Sequence, residues 1–225
     1  MPAYKRQHYL PTVYLKQFSS DKSILSRKSR VWRTDENGSR IAPVESECRS
    51  DYFYSKKDPK SAETLFHGLE NLYPSGVSKV RSEAEPNRDE HFSFMLMMFD
   101  LHLRNAAYEN RTGSEGIEAY NVRVNLFKRE LLLHRTEGEP SEDECLRCLR
   151  DHWRVRIVTA PTGIELLTSD NPSLWFTTRP NGGLHFAILP ITPRFCAVAF
   201  DQRAVQAVSA TTSDEERTIL NLNQC

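Results

Sequence analysis

The chain has 225 residues, and thirty lysines and arginines balance thirty aspartates and glutamates. That length can bury a sizeable core, while zero net charge removes the simplest argument for nonspecific nucleic-acid binding. The nine glycines show neither dinucleotide nor P-loop spacing, which argues against a nicotinamide enzyme or a P-loop ATPase.

The N-terminus is a dense mixture of cation, imidazole, phenol and proline: Lys5, Arg6, Gln7, His8, Tyr9, Leu10, Pro11, then Tyr14, Leu15 and Phe18. Met1 to Arg33 carries eight Lys/Arg and a single acid, Asp21. Such a face meets a phosphate or an acidic partner, or is a solvated surface with counter-charges nearby. Ser29 to Val44 predicts a β-hairpin around Asp35-Glu36-Asn37-Gly38, where Asn-Gly supplies a positive φ. Ser61 to Leu72 predicts a helix with Ser61 as N-cap, stopped or bent by Pro74 and Gly76. A second helical piece covers Val77 to Glu85.

The clearest helix follows Pro86-Asn87, with Phe92, Met95, Leu96, Phe99, Leu103 and Ala106 as its apolar stripe. Glu118 to His134 predicts another. Ser141 opens a short third one, with Glu144 completing a capping box. From Trp153 the period becomes strand-like. Strands are expected at Trp153–Ala160, Glu165–Thr168, Leu174–Thr178, His185–Leu189 and Phe195–Phe200, as an antiparallel meander. Ser213 to Asn223 predicts a final helix cut short. Helices and strands are segregated, which predicts α+β: a helical central part packed on a C-terminal antiparallel β-sheet. The expected organisation is one domain over 1–225, with a basic signature segment and hairpin (1–60), a helical part (61–152) and the β-meander with truncated helix (153–225).

Five unevenly spaced cysteines and no signal peptide predict reduced thiols and a cytoplasmic location. The longest apolar run, Phe92 to Leu103, is broken by Asp100 and His102 and falls short of the ~20 residues a bilayer span needs, so no membrane association is expected.

His8-Tyr9-Leu10-Pro11 with Tyr14-Leu15 and Phe18 resembles the opening of a widespread, mostly bacterial family of unknown function with an N-terminal His-Tyr-Val-Pro signature. The likeness continues through Val31-Trp32, Asp51-Tyr52-Phe53-Tyr54-Ser55, Leu69-Glu70, Arg104, Thr168-Ser169-Asp170-Asn171-Pro172 and Leu189-Pro190-Ile191-Thr192-Pro193. Leu10 stands where that family usually has valine, and the chain stops at Cys225 where the family continues through a longer helix. The resemblance implies a shared fold and supplies no activity.

His8 and Asp170 are the leading catalytic candidates. A histidine shuttles protons near neutrality, and a carboxylate orients it or holds a metal. Arg6 and Arg104, with Lys5, are candidates to neutralise a phosphate, and Asn171 is a further substrate-binding candidate. Glu70 and Asp170 are candidate ligands for Mg²⁺ or Mn²⁺. Together they suit hydrolysis of a phosphodiester by a nuclease, with a nucleic acid or phosphorylated ligand as partner. The alternative is a noncatalytic binding or inhibitor protein with a protein partner and a structural N-terminal signature. In that case Tyr9, Pro11, Tyr14 and Phe18 anchor the first segment, Arg6 and His8 satisfy buried acceptors, Asp170 and Asn171 cap a turn, and Arg104 pairs with Glu70. A third reading is an obligate oligomer.

Other constellations are weaker. Cys145-x-x-Cys148-x-x-x-His152 falls inside a helix and reads as buried thiols rather than zinc. His91, Met95, Met98 and His102 share a face that reads as core packing. Ser169 lacks the glycine-flanked elbow of a hydrolase. Tyr9, Tyr14, Tyr52, Phe53 and Tyr54 read as core and rim packing rather than a base-stacking platform.

Overall fold

The computed structural model describes residues 6–20, 29–51, 53, 67–68, 70–104, 116–132, 140–176 and 186–203. The expected helices at Ser61–Leu72 and Ser213–Asn223 lie mostly or wholly outside them, as do Lys5, Tyr52, Tyr54 and Cys225.

Strand β1 (Arg6–His8) leads into a short helix α1 (Thr12–Leu15) and a 3-10 turn (Lys16–Phe18). The hairpin β2 (Arg30–Asp35) and β3 (Gly38–Pro43) follows as expected, turning at Glu36-Asn37. Gly38 has φ +111°, which a side chain would resist, and the Asp35 carboxylate accepts from the Asn37 N–H at 2.9 Å. Strand β4 (Arg49–Asp51) returns to pair antiparallel with β1, Arg6 opposite Asp51 and His8 opposite Arg49.

Helix α2 runs Tyr73–Arg81, earlier than expected. Pro74 begins this helix rather than ending it, because a first-turn proline has no intrahelical N–H to lose. Gly76 sits inside the helix, where the absence of a side chain lets the Phe94 ring approach. Helix α3 (Arg88–Leu103) starts at Asn87, whose side chain accepts from the Glu90 N–H while Glu90 accepts from the Asn87 N–H. Its burial differs from the expected stripe. Met95 and Leu103 of that stripe are buried, but so are Phe94, Met97, Met98 and Leu101, whereas Phe92, Leu96 and Phe99 are only partly so and Ala106 lies outside the described residues. A helix covered on most sides belongs at the centre, and α3 contacts α2, α4 and three sheet strands.

Helices α4 (Gly116–Leu131) and α5 (Glu142–His152) complete the helical part, and Ser141 and Glu144 form the expected capping box on α5. Cys145 and Cys148 are buried in α5, as the helical pattern implied. The chain then enters a four-stranded antiparallel sheet of β5 (Trp153–Thr159), β6 (Leu174–Phe176), β7 (Phe186–Pro190) and β8 (Phe195–Asp201). The order is β5-β8-β7-β6. Only β6, β7 and β8 form a meander; β5 pairs with the last strand, Trp153 opposite Asp201. Glu165–Thr168 is not a strand: Leu166 N–H donates to Pro193 O, but the segment is otherwise irregular and Leu167 is exposed. The fold is α+β, and among the described residues no helix is long and apolar enough to cross a membrane.

Candidate functional site

The last turn of α3 carries Asp100 and ends at Arg104, a guanidinium only 2% exposed. Its Nη1 donates to Glu70 Oε1 at 2.8 Å and Asp100 Oδ2 at 3.0 Å; its Nη2 donates to the His8 carbonyl at 2.7 Å. Arg104 therefore ties the first strand to the central helix and pairs with Glu70, as the structural alternative anticipated. Burial pushes the Asp100 carboxyl up to about 6 against the opposing pull of Arg104, and Asp100 Oδ1 has no hydrogen-bond partner among the described residues.

The His8 ring is partly buried, with Nε2 3.3 Å from Glu45 O. Burial lowers its pKa; the Glu45 carbonyl opposes this, and the positive charge of Arg49 adds to it. A neutral ring donating from Nε2 fits that environment.

One residue on, Tyr9 faces a different space. A cleft of about 350 Å³ opens between the N-terminal segment, the hairpin and the 168–170 loop. Its walls include Tyr9, Leu15, Phe18, Val31, Trp32, Thr168, Ser169 and Asp170, all from motifs that carry the family resemblance. The hydrogen bonds that bring them together start at Tyr14. Its buried hydroxyl donates to Pro190 O at 2.9 Å and lies 2.7 Å from Thr168 Oγ1. Ser173 Oγ donates to Met98 O at 2.6 Å, fixing the far end of the same loop to α3.

The cleft also holds Arg33, Asp35, Glu47 and Cys48, which the sequence reading did not single out. Arg33 lies 2.8 Å from Glu47 Oε2 and 3.1 Å from Asp35 Oδ2. Their i, i+2 spacing on β2 placed Arg33 and Asp35 on one face, but nothing local pointed to Glu47. Tyr9 and Cys48 share a hydrogen bond, and burial pushes the Cys48 thiol up to about 11. Cys48 is thus a poor nucleophile. It adopts φ +51°, and its carbonyl accepts from the N–H groups of both Tyr9 and Leu10.

Asp170 is exposed in this cleft, and its charge is felt by Tyr9 and Cys48. No hydrogen bond joins it to His8, so the fold unites the signature and the Asp-Asn turn through Tyr9 rather than through the imidazole. Asn171 is partly buried. Its N–H donates to Ser169 Oγ at 3.1 Å, so the Ser169 hydroxyl closes the turn assigned above to Asp170 and Asn171. Arg6 is exposed on β1. Among the described residues, no three His, Cys, Asp or Glu side chains converge as metal ligands, and Glu70 is engaged by Arg104.

Three carboxylates (Asp35, Glu47 and Asp170) face one guanidinium, which two of them already hold. The described walls of the cleft therefore carry more negative than positive formal charge. Beside it, Trp32 and its cross-strand partner Ile41 stand 64% and 41% exposed on the open face of the hairpin, while Val31 and Ala42 are buried on the other.

A protein-family model described as "Protein of unknown function (DUF4238)" matches residues 6–211. No curated protein and no solved structure matches the chain.

Proposed function

The chain belongs to this family of unknown function, and from that premise we propose that it is a noncatalytic binding protein. Its N-terminal signature is structural, and its cleft at Asp170 receives a cationic side chain of a protein partner. The observation that carries this reading is Asp170: an exposed carboxylate with no ion-pair partner among the described residues, in a cleft that exposed Trp32 also lines. A guanidinium or ammonium group set there gains the carboxylate, with Trp32 on the border of the same cleft. Ile41 extends the apolar rim, as at the core of a protein interface. Burial of Arg104 and its bond to the His8 carbonyl support a structural signature.

Hydrolysis of a phosphodiester has less support, because His8 and Asp170 share no hydrogen bond and Arg104 is engaged inside the fold. Two measurements test the proposal. Titration with hexa-arginine, followed by tryptophan fluorescence, should give a saturable change that is lost in Asp170→Asn and Trp32→Ala and absent with hexa-glutamate. Incubation with single- and double-stranded DNA and RNA, with Mg²⁺, Mn²⁺ or chelator, should give no cleavage. Cleavage that disappears in folded His8→Ala or Asp170→Ala would overturn the noncatalytic reading.

A further inference from the structure

A larger cleft, about 600 Å³, lies between the start of α3, the end of α5 and strand β5. Its charge is opposite to that of the cleft at Asp170. Arg88, Arg150 and Arg154 line it, with Asp89 the single carboxylate on its walls. Arg156 follows Arg154 on the same exposed face of β5, and its charge reaches His91, another wall residue.

Arg33, Arg104, Arg194 and Arg203 each hold a carboxylate. None of Arg88, Arg150, Arg154 and Arg156 does so among the described residues, although the chain as a whole has equal numbers of acids and bases. Asp89 stands on the wall itself, and two other acids around the start of α3 are engaged elsewhere. Glu90 caps α3 and pairs with Lys79 at 2.8 Å, and Glu85 lies 3.6 Å from His91. Burial lowers the His91 pKa, Arg156 adds to this and Glu85 opposes it, so the ring stays neutral and can donate or accept one hydrogen bond.

Two of the guanidiniums are oriented in advance. Arg154 Nη1 donates to the carbonyls of Arg150, Asp151 and Trp153, closing the end of α5, and among the described residues Nη2 and Nε make no hydrogen bond. Arg150 lies over the Phe92 ring at 5.3 Å. A planar fork held in place loses little entropy when it takes a tetrahedral anion bidentately. Three elements converge on a concavity within the size range of small-molecule sites.

We propose that this arginine cleft binds a phosphate-bearing anion of nucleotide size, at a site separate from the cleft at Asp170. Three guanidiniums around one concavity suit several anionic oxygens better than a single carboxylate. Both a free nucleotide and the backbone of a single strand present that chemistry, and the test separates them.

The probes are inorganic triphosphate, ATP and a labelled oligo-dT, with affinity measured by calorimetry or anisotropy at low and moderate salt. The wild-type protein should bind at least one of them. The double variant Arg88→Ala/Arg150→Ala should weaken that binding tenfold or more with an unchanged melting temperature, since both side chains are exposed. The control Arg40→Ala, an exposed arginine on the hairpin, should leave it unchanged. Equal binding of triphosphate and ATP would support recognition of phosphate alone. Tighter oligo-dT binding with a steep salt dependence would support a single-strand backbone as the source. The proposal is overturned by no binding of any probe, by binding indifferent to the double variant, or by an equal loss in Arg40→Ala.

Discussion

Arg104 shows how a residue's chemistry changes with its depth. On the surface its guanidinium would be a phosphate clamp; inside, it joins His8, Glu70 and Asp100. Removing one partner of a buried ion pair leaves the other uncompensated and costs about 3–5 kcal/mol. Arg104→Met should therefore lower unfolding stability by about that much, read by urea denaturation. A loss below about 1 kcal/mol would mean that the knot contributes little. The sequence named Arg104 and Glu70 and offered their pairing as one reading. It did not show which held, because the deciding bond goes to a backbone carbonyl almost a hundred residues earlier. The same limit applied to Asp170. Its place in a cleft with Tyr9 depends on Tyr14 reaching Thr168 and Pro190.

At the scale of elements, local signals carried far where they were local in origin. The Ser141–Glu144 capping box and the hairpin turn each rest on side chains within a few residues, and each formed as read; the Asn87–Glu90 box on α3 is equally local but was not singled out. Helix α2 did not follow that logic, because its glycine answers to a ring from another helix. A Cβ on Gly76 would lie 2.8 Å from Phe94 Cζ, and Phe94 is fully buried with its ring set edge-on against Tyr73. Alanine gains roughly 1 kcal/mol of helix propensity over glycine, against roughly 1–3 kcal/mol for overpacking. Gly76→Ala should therefore be destabilising, and adding Phe94→Leu should recover part of the loss in thermal melts. A more stable single variant would show that the ring has room to move. The segment Glu165–Thr168 failed as a strand for a related reason: strand propensity does not supply a ladder, and the Leu166 N–H reaches Pro193 O outside any strand pairing.

For the whole molecule, pH dependence collects opposing burial effects. Burial lowers the pKa of His8, His91 and His102 below 6.5, so their contribution is present above 6.5 and lost as pH falls through the folded values. Asp100 has the opposite sign. Its pKa rises from 3.8 to about 6, so its contribution is full below 3.8 and lost as pH rises through about 6. Between about pH 4 and 6.5 the carboxyl offsets part of the histidine effect. Asp100→Asn removes that offset, and stability should fall more steeply on acidification than in the wild type, read as denaturation midpoint against pH. A shallower fall would reverse the assignment. The α+β class was legible from the switch in periodicity at Trp153. The position of β5 beside β8 was not, since strand propensity carries no information about which edge a strand joins.

That position has a consequence for synthesis. Strand β5 contacts α3 and α5, yet its partner β8 is made more than thirty residues later. Until then the ribosome has delivered the helical part with Trp153 and Val155 and no neighbouring strand to close over them. The nascent chain holds an open sheet edge beside apolar helices, the arrangement most prone to capture by other chains. The sheet is complete only when β8, its last described strand, arrives, so an interrupted translation product ending before Phe195 would be a substrate for chaperones and proteases rather than a smaller folded protein.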